Sequence, residues 1–105
     1  MKVVKLIVTA VALLNVSTAF SANEGKAAYD NACAMCHNSG IAGAPKLTDK
    51  AGWKDRLAQG EAVLLEHSIK GFKGKTGNMP AKGGNPETKD EDVKSALHYM
   101  VEAVK

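Results

Sequence analysis

Residues 33 to 37 read CAMCH, and the chain has no cysteine besides Cys33 and Cys36. On a helix, Cys36 and His37 follow Cys33 by three and four positions, so both thiols and the imidazole crowd one face of a single turn. No other stretch limits the fold so severely, because the rest of the sequence offers little to build a core from. Beyond residue 21 the aromatic side chains are Tyr29, Trp53, Phe72 and Tyr99. A domain of about 83 residues holds one marginal core, and small exported domains commonly add several disulfides. A bridge between Cys33 and Cys36 closes only a tiny loop and stabilises little. The core therefore needs something else to fill it.

Three chemistries compete for the motif. A thioredoxin-like dithiol requires a βαβ context, and no alternating strand pattern is visible beyond the first residues. Structural zinc requires four ligands, whereas Cys33, Cys36 and His37 supply three, crowded together, with no second cluster elsewhere. The remaining reading is haem, for which C-x-x-C-H is the attachment signature. Two thiols on one turn add across the vinyl groups along one edge of the ring, and the adjacent imidazole then reaches the iron. The motif thus predicts one covalently bound haem c, attached at Cys33 and Cys36, with His37 as an iron ligand.

The first residues have a different character. Lys2 and Lys5 precede the apolar run LIVTAVALL (6–14), and the small residues of STAFSA follow. This is the layout of a secretory signal peptide. Asn15 ends the run well short of the roughly 20 apolar residues of a membrane anchor. Residues 1–21 are therefore expected to be removed, with the cut between 19 and 22, leaving a domain at 22–105 in the periplasm without stable membrane insertion. Of fourteen basic residues, loss of Lys2 and Lys5 leaves twelve against eleven acidic ones, so the net charge falls from +3 to +1. Arg56 is the only arginine and no basic stripe exists, which argues against nucleic-acid binding.

Along the domain, helix formers run from Glu24 to Cys36, ended by Gly40 and Gly43. A loop, IAGAPKL, leads to a short helix WKDRLA (53–58) closed by Gly60. A second helix spans Glu61 to Ile69, stopped by Gly71. Between Gly71 and Pro86, five glycines and two prolines predict a long loop without regular structure. Thr88 with Glu91 reads as a capping box for a last helix, whose first turn carries Asp90, Glu91 and Asp92 at the positive helix end. Val93, Ala96, Leu97, Met100, Val101 and Val104 form its apolar stripe. The fold class is all-α.

A low-spin carrier needs a sixth iron ligand, and the candidates are Met35, His67, Met79, His98 and Met100. Met35 shares the attachment turn with His37 and cannot reach the other face of the ring. Met100 belongs to the apolar stripe, and His98 lies off it. His67 follows Val63 and Leu64 at inward-facing spacing, so it stays in contention. Met79, in Asn78-Met79-Pro80, sits on a loop free to drape over the ring, and Met/His is a standard pairing that raises the potential.

CAMCH after a helix with Gly25 and Tyr29, then AGAPKL, then GNMP, then a final helix with Leu97 and Tyr99, resembles the class I c-type cytochromes. Trp53-x-x-Arg56 and MPAKGG make the chain most similar to the cytochrome c5-like group. The resemblance implies thioether bonds at Cys33 and Cys36, axial ligation by His37 and Met79, and a Pro45 carbonyl bonded to the imidazole. It also implies first and last helices crossing where Gly25 meets Tyr99. Trp53 and Arg56 are candidates for the haem pocket, and Arg56 either pairs with a propionate or sits on a solvated helix face, the common fate of a lone arginine. Cytochromes c5 often carry a second cysteine pair before the final helix; Asn85 to Asp90 has none, which predicts a looser loop there. Lys46, Lys50, Lys70, Lys73, Lys75 and Lys82 fall on segments expected around the haem mouth, where they either steer an acidic redox partner or simply keep loops soluble. The function expected is single-haem electron carriage between a donor and an acceptor protein, not enzymatic catalysis. The rivals are a haem enzyme or gas sensor with an open iron, and a thiol redox protein.

Overall fold

The apolar stripe at the C-terminal end folds as predicted, into helix α5 (Asp90–Val104), and Val93, Ala96, Leu97, Met100, Val101 and Val104 are all buried. A computed structural model of the chain describes residues 22–105, so the signal-peptide reading of 1–21 lies outside the described residues. Helix α1 (Ala22–Ala32) packs across α5. The crossing is tight at Gly25, where a Cβ would lie 2.8 Å from the Ser95 carbonyl oxygen and 3.1 Å from Tyr99 Cβ. Only glycine fits there without displacing one helix. Tyr29, one turn on, puts its ring 5.3 Å from that of Tyr99 and joins Trp53, Ala96, Met100 and Val104 in the main core cluster. Each such large apolar side chain, fully buried, is worth about 1.5–3 kcal/mol.

The helix expected from Glu24 to Cys36 is interrupted once. Cys33 adopts φ −119°, ψ −32°, and a second short helix, α2 (Ala34–His37), continues beyond it. Helix α3 (Lys50–Ala58) starts earlier than WKDRLA because Asp49 caps it, its carboxylate accepting the Gly52 N–H at 3.0 Å. Helix α4 (Glu61–Lys70) ends at Gly71, in a positive-φ conformation (88°), and sets Leu64 against Leu97 and Val101 of α5.

Residues 71–86 correct the expectation of a shapeless loop. Strands β1 (Phe72–Lys73) and β2 (Asn78–Met79) form a minimal antiparallel ladder that pairs Phe72 with Met79. Gly74 N–H donates to the Gly77 carbonyl at 2.8 Å to close the hairpin. A 3-10 turn, Ala81–Gly84, follows. Glycines permit regular structure here by supplying tight turns, where composition alone argued against it. The capping box does not form either. Lys89 is the N-cap of α5, without a side-chain bond, and the Thr88 carbonyl instead accepts from Lys82. In the segment before α5, where the lack of cysteines predicts a looser loop, Asn85 Nδ2 donates to the Ala32 carbonyl at 3.3 Å. Among the described residues no helix is long and apolar enough to cross a membrane.

Candidate functional site

Helix α2 and the β1–β2 hairpin border a single apolar cavity, whose lining includes Cys33, Cys36 and His37 from one and Phe72 and Met79 from the other. Pro45, Trp53 and Arg56 line it as well. His37 is the best-braced residue on this wall. Its side chain is buried, and Nδ1 stands 2.9 Å from the Pro45 carbonyl oxygen. A carbonyl only accepts, so Nδ1 carries the proton and Nε2 keeps its lone pair. Burial lowers the His37 pKa, the bond to Pro45 opposes this, and the Arg56 charge lowers it further. The ring is therefore neutral at pH 7, as metal ligation requires.

Pro45 is itself held in place. The Leu47 N–H donates to the His37 carbonyl at 3.1 Å, and Trp53 Nε1 donates to the Lys46 carbonyl at 2.9 Å. Residues 45–47 thus form a strap fastened on both sides, which fixes the imidazole orientation. Trp53 is buried with its ring centroid 6.0 Å from that of His37. The Arg56 guanidinium lies 5.9 Å from the Trp53 ring and donates to the Gly52 carbonyl at 2.5 Å. Tyr29 locks the far end of α2, donating its hydroxyl to Asn38 Oδ1 at 2.5 Å. Burial, and then the neighbouring Cys33, push the Tyr29 pKa up to about 12.

The two thiols are half-buried on the cavity wall. Burial, with Cys36 adding to it, pushes the Cys33 thiol up to about 11. A reactive dithiol needs the opposite shift, so the environment of Cys33 does not favour the thiol-redox reading.

On the hairpin side, backbone meets backbone. A Cβ on Gly43 would fall 1.9 Å from the Thr76 carbonyl oxygen, and one on Gly77 would fall 2.1 Å from the Ala42 carbonyl oxygen. The turn Ile41–Gly43 and the hairpin tip therefore touch with no room for side chains, and they close one edge of the cavity. Of the five candidate sixth ligands, Met79, His67 and Met100 line the cavity. Met100 is part of the packed core. Met35 is 79% exposed, and His98 lies beside Glu61 and Glu102 on the outer face of α5. His67 stacks on Phe72, centroids 4.1 Å apart and planes 14° from parallel, and Phe72 is the residue paired with Met79 in the ladder.

Phe72, Asn38, the Gly43–Gly77 crossing and the inward role of Lys82 were not predicted. Phe72 had a sequence signal, as an aromatic residue in a glycine-rich stretch; the others depend on contacts distant in sequence. Lys82 leaves the proposed rim, bonded to Thr88 and Asp90, and Lys70 pairs with Glu66 on its own helix. Lys46, Lys50, Lys73 and Lys75 are exposed.

The donor set suits a haem: two thiols and a neutral imidazole on adjoining turns, a thioether and a second imidazole on the same cavity, and apolar walls between. The comparisons agree. The profile of the cytochrome c family matches residues 22–103. Cytochrome c-555 of Chlorobaculum thiosulfatiphilum is 54% identical over 78% of this chain and 95% of its own length. Cytochrome c5 of Ectopseudomonas mendocina is 34% identical over 65% of this chain and 76% of its own, so the likeness extends to the c5 group while being greater to cytochrome c-555. Among solved structures, a chain from an electron-transfer complex of nitrite reductase with cytochrome c superposes with a TM-score of 0.68 at 40% identity, over 78% of this chain and 95% of that one. With attachment motif, pocket and relatives in accord, the chain belongs to the cytochrome c family of electron carriers, which bear covalently attached haem c.

Proposed function

We propose that the chain is a periplasmic single-haem electron carrier, attached through Cys33 and Cys36 and ligated by His37 and Met79. The observation that carries this reading is one cavity shared by the attachment turn and Met79, with His37 Nε2 left basic by the Pro45 bond. Bound haem supplies one-electron exchange between ferric and ferrous iron, with no bond made to a substrate. The chain's residues then have three tasks. The strap at 45–47 and Trp53 orient His37, the hairpin presents Met79, and the apolar walls keep water out so that little reorganises on electron transfer. Arg56, which lines the cavity, would pair with a propionate.

Donor and acceptor are other redox proteins, in keeping with the neighbour found in complex with nitrite reductase. Lys73 and Lys75 alternate with the cavity-lining Phe72 and Gly74, and Lys46 follows Pro45, a cationic margin fit for an acidic docking surface. A second reading, with His67 in place of Met79, has an observation of its own, since His67 lines the same cavity.

The test is to isolate the protein from the periplasmic fraction, weigh it and record spectra in both redox states. The expected mass is that of a chain starting between residues 20 and 23 plus one haem. The oxidised protein should show the weak far-red band of sulfur-ligated iron, and its electron exchange with an acidic partner should slow as salt rises. A full-length chain in the membrane fraction, or a high-spin spectrum, contradicts the proposal.

A further inference from the structure

We propose that Lys82 is the positioning residue that holds Met79 over the cavity; this rests on the reading of Met79 as an iron ligand. Lys82 lies three residues past Met79, within the turn Ala81–Gly84, and adopts a left-handed φ of 54°. Lysine has no short polar side chain to ease that conformation, as asparagine and aspartate do. The turn must therefore be held from outside.

The side chain supplies the hold. It lines the cavity and is only 20% exposed. Nζ donates to the Thr88 carbonyl at 2.6 Å and stands 2.9 Å from Asp90 Oδ1. Asp90 is 66% exposed, so its attraction is screened and the bond to Thr88 carries more of the effect. One partly buried cation thus spans from the segment bearing Met79 to the entrance of α5, the helix that packs on α1. Met79 has little anchorage of its own, since its strand is a two-residue ladder with β1. At the other end of the turn, Asn85 bonds to Ala32, the residue before Cys33. With both ends pinned, residues 80–85 cannot swing outward without exposing a charge-assisted bond and relaxing the left-handed turn. The Lys70–Glu66 pair is the contrast. It joins two residues of one helix, both mostly exposed, and positions nothing.

Lys82→Met keeps the length of the stem and removes the ammonium. The experiment measures azide binding to the oxidised holoprotein, the far-red band and helix content, with Lys70→Met as the control. Azide enters only when Met79 leaves the iron, so its apparent affinity reports the open population. Lys82→Met should bind azide about tenfold more tightly than the parent, with haem still attached and helices intact. Asp90→Asn should give a smaller gain and Lys70→Met none. Combined with Met79→Ala, Lys82→Met should add nothing, because it acts through Met79. If Lys82→Met does not accumulate, Lys82→Gln, which keeps a neutral donor, should show an intermediate gain. Unchanged azide affinity in the folded Lys82 variants, or a full additional gain on top of Met79→Ala, overturns the inference. If Met79→Ala alone leaves azide binding unchanged, the ligand reading itself is wrong, and that result is distinguishable from the others.

Discussion

The two sides of the haem cavity are built by different physics. The attachment side rests on helix packing: α1 crosses α5, Tyr29 and Trp53 are buried, and His37 is braced by a strap bonded at three points. The hairpin side has few buried apolar side chains. Phe72 is 45% exposed, the ladder has two residues per strand, and shape comes from glycine crossings and a few polar bonds. Packed helices open only with the whole molecule, whereas a segment held by a handful of contacts opens locally at lower cost. On the proposed ligation, a fixed His37 and a detachable Met79 are what that division would give.

The largest expected effect falls on the attachment side. Replacing Cys33 and Cys36 by Ala should abolish stable haem capture and leave the chain largely unfolded by circular dichroism, since a core of this size is marginal without its filler. A cooperative thermal transition in the haem-free double variant would break the comparison at its root.

Gly77→Ala should separate the two sides. Its Cβ would meet the Ala42 carbonyl oxygen at 2.1 Å, a backbone clash that costs about 1–3 kcal/mol or more. The far-red band should weaken at room temperature while the haem stays attached and helix content holds. Gly25→Ala is its counterpart in the helical half. There the gain in helix propensity, about 1 kcal/mol, offsets part of an overpacking cost of about 1–3 kcal/mol. The net effect is a modest fall in Tm, with the band intact below the transition. If Gly25→Ala bleached the band first, the two halves would not be separable.

Tyr29→Phe should show the smallest effect, about 1 kcal/mol for the lost bond to Asn38. Its signature is in pH. The folded protein keeps the Tyr29 proton up to about 12, against an ordinary value of 10.0. Between those values the unfolded chain binds fewer protons, so the parent loses stability as pH rises through this window. Denaturant midpoints measured below and within the window should fall more steeply for the parent than for Tyr29→Phe.

The same division decides what was legible in the sequence. Helix α5 was readable because six apolar positions repeat at three and four and all of them are buried. CAMCH was readable because its geometry is local to one turn. The hairpin was not, because glycines report only that unusual backbone is permitted, and the partner at each crossing is distant in sequence (Gly43 with Thr76, Gly77 with Ala42). The capping box failed for a similar reason. Thr88 and Glu91 have the right spacing, but Lys82 engages the Thr88 carbonyl and the helix begins after Lys89. His67 and Met79 were both foreseen as candidates, and the fold brings both to one cavity without separating their roles by packing alone.

That choice is open to direct measurement. The oxidised spectrum and reduction potential of Met79→Ala, read against His67→Ala, test the ligand pair on which electron carriage depends. Met79→Ala should keep its haem through Cys33 and Cys36, lose the far-red band, bind azide or carbon monoxide, and fall in potential, because the thioether favours reduced iron. His67→Ala should keep the band and change the potential little beyond the loss of its stacking on Phe72. A Met79→Ala protein that stays low-spin at the parent potential, beside a His67→Ala protein whose iron opens to azide, would contradict the account and make His67 the sixth ligand.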